Sequence, residues 1–342
     1  MIAETYNDNV FYPTIAYGEN EYMVIFNQLT GSNKGLHAVR VTPLGEVLDE
    51  TWLTVSSDVN ARNPDVAYCG GHYLVVWDIY LGTTIKAARV TPEGDVLDAD
   101  GFIVKDGSAD TGHTAVACND SAALVVWVDQ RNHPTTWGYD LFGRFVDADT
   151  GVLAGDDFDI STVDQWQTTP ALAFDGTNYI ALWRDYRHSP DTQIYGARIT
   201  PQGQVLDPDG FAFSPYAGKN QTAHITCKED GHCLGTYSLW MQQPGYNNYR
   251  VQARMIDTTV DIPTTTTTTY TTTTTISADD DFDDDVNDDN DDDANDDTAS
   301  PDDDIIDDDA VNDDFADDDV DDDIQNGGSS DDDDSDQGGC FG

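Results

Sequence analysis

Basic residues are scarce in this chain. Lys and Arg number 15 against 66 Asp and Glu in 342 residues. A surface of that sign has little to set against the phosphates of nucleic acid or an anionic bilayer. No apolar run approaches the roughly 20 residues that a membrane helix needs. The start, Met1-Ile2-Ala3-Glu4-Thr5, shows neither the basic nor the apolar region of a signal peptide. Helical periodicity is missing throughout, which leaves an all-β reading. The five cysteines are too few for a disulfide scaffold. Only seven glutamates occur, mainly in turns or near the start. No His-Glu-x-x-His, Gly-x-Ser-x-Gly or Cys/His metal spacing is present.

What the chain does have is repetition. Residues 64–77 form two short apolar runs joined by a glycine turn, ending Tyr73-Leu74-Val75-Val76-Trp77. The same unit recurs at 13–26, 114–127 and 170–183, and more weakly at 223–237. The aromatic ends Phe26, Trp77, Trp127 and Trp183 are 51, 50 and 56 residues apart. Periods near 50 point to propeller blades or a solenoid. The second run is apolar on both faces, as befits a strand held between packed sheets. A third strand ends in Arg40, Arg89, Arg144, Arg198 or Arg254. Turns such as Thr91-Pro92-Glu93-Gly94 follow, with proline fixing φ at the entry and glycine supplying the permissive position. A Val-Leu-Asp stretch leads into the fourth strand.

Five such units predict a five-bladed β-propeller of four-stranded blades over residues 1–260. The fifth unit lacks a fourth strand, whereas Ile2 lies 11 residues before Pro13, as Leu53 does before Pro64. The N-terminal strand is therefore expected to complete the last blade and remove its open edge. A Thr-rich linker (261–276) and an Asp-rich tail (277–342) follow. The tail holds 32 of the 66 acids and no Lys or Arg, so it is expected to stay expanded. Weak multisite Ca²⁺ association there is the one cofactor expectation, since hard cations take carboxylate oxygens. No other cofactor and no bound metal are predicted.

Arg40, Arg89, Arg144, Arg198 and Arg254, with Asp129 and Asp185, read as structural, because a feature written into nearly every unit belongs to the building block. Residues that differ between the copies are the better binding candidates. Trp137, Tyr139, Trp166, Tyr186, His188, Trp240 and Tyr246 gather in loops expected on one side of the ring. Flat apolar rings beside Asp, Asn and Arg suit a glycan or protein ligand. Catalysis finds little support: a five-bladed glycosidase needs two carboxylates facing across the channel, and Asp65 alone falls within a first strand. For Cys227 and Cys233, a hairpin disulfide and two buried thiols both fit. Cys69 and Cys118 are read as free, partly buried thiols.

The unit at 170–207, with Tyr179-Ile180-Ala181-Leu182-Trp183-Arg184-Asp185 and Ile194-Tyr195-Gly196-Ala197-Arg198-Ile199-Thr200-Pro201, resembles repeats of large exported surface proteins of myxobacterial, deltaproteobacterial kind. Gly338-Gly339-Cys340 is similar to the start of their sorting segment, which makes Cys340 an anchor candidate. The resemblance implies an extracellular or cell-surface location. The expectation is a non-enzymatic, monomeric propeller that presents a ligand-binding loop face on an acidic stalk. A carbohydrate-active enzyme using channel carboxylates is the alternative, and a structural spacer the third reading.

Overall fold

The structure is a computed structural model that describes residues 10–29, 34–107, 109–119, 122–133, 138–243 and 246–260, the side chains within 242–247 excepted. The expected closing strand at 1–5, the linker, the tail with Cys340, and Trp137 lie outside the described residues.

Blade 1 comprises β1 (Val10–Tyr17), β2 (Tyr22–Gln28), β3 (Gly35–Val41) and β4 (Leu53–Ser56). Blade 2 follows with β5 (Ala61–Cys69), β6 (His72–Ile79), β7 (Ile85–Val90) and β8 (Phe102–Lys105). Blade 3 holds β9 (Thr111–Cys118), β10 (Ala122–Asp129), β11 (Asp140–Asp147) and β12 (Leu153–Ser161). Blade 4 holds β13 (Gln167–Phe174), β14 (Tyr179–Asp185), β15 (Gln193–Ile199) and β16 (Phe211–Ala212). Blade 5 has β17 (Asn220–Cys227), β18 (His232–Gln243) and β19 (Tyr246–Asp257). Within each sheet the strands pair antiparallel in sequence order. The fold is a five-bladed β-propeller whose last blade shows three strands among the described residues.

Strand alternation builds the ring. In β6, Tyr73, Val75 and Trp77 join the core shared with blade 1, while Leu74 and Val76 join the core shared with blade 3. Two further cores fill the interfaces of blades 3 and 4 and of blades 4 and 5. A side chain that moves one residue along such a strand therefore faces a different neighbour. Burying Trp77, Trp127 and Trp183 completely contributes about 1.5–3 kcal/mol or more for each side chain. Gly101, at φ +74°, lies against the Trp77 ring where any side chain would clash.

The repeated arginines tie the rim. Arg40 meets Asp49 at 2.6 Å and donates through Nη1 to the Pro92 carbonyl of blade 2. Arg89 pairs with Asp98 at 2.7 Å and Arg198 with Asp207 at 2.9 Å. Arg144 donates to the carbonyls of Gly155 and Val104, and Arg254 to that of Phe213. Asp129 accepts from Trp127 Nε1 and Arg131. Asp185 accepts in the same way from Trp183 Nε1 at 2.8 Å and from Arg187 at 2.7 Å.

Cys227 and Cys233 face each other across the β17–β18 hairpin and form a disulfide. Cys69 and Cys118 also pair, with Cα atoms 5.6 Å apart, which corrects the expectation of free thiols. Cys69 and Cys118 end the first strands of neighbouring blades, β5 and β9, a proximity that spacing along the chain does not reveal.

Candidate active site

The first strand of each blade is an inner edge strand, which explains why proline is tolerated there. Each carries a register shift near its start, at Phe11/Thr14, Arg62/Asp65, Thr168/Ala171 and Asn220/Ala223, with the equivalent shift opposite β9 at Val126/Val128. At four of these bulges a non-glycine residue takes the left-handed conformation: Tyr12 (φ 52°), Asn63 (46°), His113 (46°) and Thr169 (48°). Bulges re-aim side chains, and strained backbone of this kind costs of order 1–3 kcal/mol per residue. Here they turn residues toward the axis, where all five inner strands enclose a basin of about 570 Å³.

Asp65, His113 and His224 line that basin, with Tyr12, Thr14 and Asn63. Asp65 is the carboxylate among the described lining residues. Thr14 Oγ1 of blade 1 donates to its Oδ1 at 3.0 Å, and the Val116 N–H of blade 3 donates to its Oδ2 at 2.8 Å. Enclosure by the surrounding strands raises its pKa, against those hydrogen bonds and the field of His224. The same enclosure lowers the pKa of His113, although its ring opens to the basin. One wall thus offers a carboxyl biased toward keeping its proton and an imidazole biased toward releasing one.

Behind this wall lies Asp78, 2% exposed. Its Oδ2 accepts from Asn63 Nδ2 at 2.8 Å and from the His113 N–H at 2.7 Å. Burial pushes its pKa up to about 6. Thr114 Oγ1 adds a bond to the Asn63 carbonyl at 2.7 Å.

The loop residues expected to bind ligand separate into groups. Tyr139, Trp166 and Tyr186 form one strip across blades 3 and 4, with centroids 6.2 and 5.7 Å apart. Arg184 covers Tyr186 at 4.7 Å, and Tyr139 Oη donates to Asp110 at 2.9 Å. All three rings are half-buried. Trp166 and Asp110 each lie three residues before a bulge residue that lines the basin, Thr169 and His113. His188 instead meets Tyr195 Oη at 3.1 Å, and Trp240 packs on Tyr249 in blade 5 at 4.9 Å. Tyr246 pairs with Gln243 in the backbone ladder, and its side chain is outside the description.

Sequence reasoning missed His113, His224 and Asp78. The signal for the bulge was available as Tyr12-Pro13, Asn63-Pro64 and Thr169-Pro170, since a proline at one register position of three strands marks a broken ladder.

No protein-family model matches the chain, and no curated protein is similar to it in sequence. Solved structures share its shape. One is a thermostable family-43 glycoside hydrolase, at 14% identity and TM-score 0.47, covering 72% of this chain and 89% of that one. A native arabinanase of Bacillus subtilis gives 14%, 0.44, 71% and 93%. An endo-1,4-beta-xylanase of Bacteroides thetaiotaomicron gives 12%, 0.46, 72% and 89%. At such identities only the fold is shared, and these proteins assign no residue here. The expectation of a non-enzymatic ring that binds through its outer loops is corrected by the ring's own geometry: the titratable cluster of Asp65, His113 and His224 lines the axial basin and, among the described residues, none of the expected loop residues does. No helix among the described residues is long and apolar enough to cross a membrane.

Proposed function

We propose that the protein is a carbohydrate-active enzyme that cleaves a glycosidic bond in its axial basin. The observation that carries this reading is Asp65, a carboxylate fixed between three blades, facing the basin, with its pKa raised by enclosure. Glycoside cleavage needs a proton delivered to the leaving oxygen and a second group that draws a proton from water. Asp65 takes the first role. His113, held neutral by its surroundings, takes the second. One carboxylate with an imidazole departs from the usual pair of carboxylates, and it is the departure this basin offers. Tyr139, Trp166 and Tyr186 would provide a platform for sugar rings.

Two disulfides favour an oxidising compartment, which supports an extracellular substrate. The test is release of reducing sugar from arabinan, xylan and galactan by the full chain. Activity on one of them, reduced about 10²–10⁴-fold in D65N, is the expected result. Inertness on every polymer, or full activity in D65N, overturns the proposal.

A further inference from the structure

We propose that Asp78 is the positioning residue of the axial basin: its carboxylate ties the left-handed bulges at Asn63 and His113 together and so fixes how the His113 ring enters the basin. The role assigned to His113 rests on the reading of the basin as the reacting site, whereas the tether itself stands on geometry.

The tether begins with a one-residue displacement. Blades 3 and 4 write Trp127-Val128-Asp129 and Trp183-Arg184-Asp185, which place each acid on the same strand face as its tryptophan. There the acid accepts from the indole N–H. Blade 2 writes Trp77-Asp78, so the acid turns to the opposite face and Trp77 Nε1 is left without a partner. At the register position of Asp78 the other blades carry Asn27, Val128, Arg184 and Ser238. Because this face looks toward the next blade, Asp78 meets β9 at its bulge.

Both partners of Asp78 are strained. Asn63 and His113 each sit at φ 46°, and a single carboxylate oxygen accepts from both, from a side chain in one blade and from the backbone in the next. A charge-assisted bond to each donor outweighs one neutral bond, and together they offset part of the bulge strain. The groups that face Asp78 are Asn63 and His113 as donors, with the fields of Arg62 and Asp110 acting in opposite directions. Arg62 spends its Nη1 on the carbonyls of Val59 and Ala61. Tyr139 holds Asp110. The bonds that fix Asp78 are therefore those to the two bulges.

The test follows the histidine signals of the full chain by NMR with carbon-labelled imidazoles, His113 being assigned by its loss in H113Q. In D78A the His113 signal should broaden and its titration should move toward the ordinary imidazole value, because burial no longer holds it down. D78N keeps an acceptor oxygen and should hold His113 close to wild type. D129N removes a buried acid that lies one register position further on and serves Trp127 and Arg131; it should lower the melting temperature without moving His113. If D78A does not fold, D78S gives the same reading, because its hydroxyl is too short to span both partners. Wild-type His113 behaviour in the folded disruptive variant overturns the tether, as does an equal shift in D129N. A chain inert on every polysaccharide whose His113 is released in D78A sinks the glycosidase reading and leaves the tether standing.

Discussion

The interface between blades 2 and 3 and the seam between blades 5 and 1 are built from the same repeat and, among the described residues, are held very differently. Blades 2 and 3 share a core of thirteen buried residues, six from blade 2 and seven from blade 3. Their inner strands are joined by Thr114 to Asn63, Val116 to Asp65 and the Cys69–Cys118 bridge, and Asp78 of β6 accepts from the His113 N–H. Across the seam, no buried core cluster joins blade 5 to blade 1 among the described residues. Apolar side chains stay exposed on both sides: Ile15 at 58% and Tyr17 at 52% on one, Val251 at 68% and Met255 at 53% on the other. β19 also has no fourth strand beside it among the described residues. The repeat supplies the strands, and the residues that differ between copies decide how firmly each pair of blades is locked.

The comparison breaks most visibly at Trp127. W127A removes a fully buried ring from the core of blades 2 and 3 and is expected to cost about 3–5 kcal/mol. V251A and M255A, at exposed positions of β19, should stay within about 0.5 kcal/mol. Denaturant midpoints of the three variants check the contrast, and equal losses would erase it. Next comes the disulfide. Replacing Cys69 and Cys118 by serine opens a loop with a sequence separation of 49 and should cost about 2–4 kcal/mol. Replacing Cys227 and Cys233, separated by 6, should cost less, because the entropy regained by the unfolded chain grows with loop length.

The smallest effect is one of pH. Asp78 titrates near 6 in the folded chain, above its ordinary 3.8, so the folded state holds a proton that the unfolded state has released. Its stabilising contribution is therefore complete below about pH 4 and is lost as pH rises through 6. The full difference amounts to about 3 kcal/mol, of which about 1.4 kcal/mol falls above pH 5. Asp65, raised for the same reason, acts with the same sign. D78N should therefore gain stability relative to wild type between pH 5 and 7.5, by denaturant titration. A constant difference across that range would contradict the assignment.

Much of the ring was legible in the sequence. The double-sided apolar run 73–77 identified a strand between two sheets, and the aromatic spacing gave the blade count. The Thr-Pro-x-Gly turns and following Val-Leu-Asp located the rim, where Val47, Val96 and Val205 make single bridges and the fourth strands begin later, at Leu53, Phe102 and Phe211. The site was harder to read. Asp65 stood out as the acid inside a first strand, but its partners come from Thr14 and Val116, each 51 residues away. His113 belongs to no sequence motif, and its place in the basin comes from the bulge at which it sits. The aromatic loop residues attracted attention because they vary, yet only Tyr139, Trp166 and Tyr186 come together. Variation shows where copies differ; which variants meet depends on closure of the ring.

The displaced acid of blade 2 has a consequence for how such a ring acquires new chemistry. Because successive residues of the second strand address different neighbours, moving one charged side chain by a single position redirects it to another blade without altering the strand's apolar content. Duplicated units can in this way diverge in what they touch while remaining interchangeable as building material. Asp78 beside Asp129 and Asp185 is one such divergence: a structural clamp in two copies, and in the third a hand on the axis.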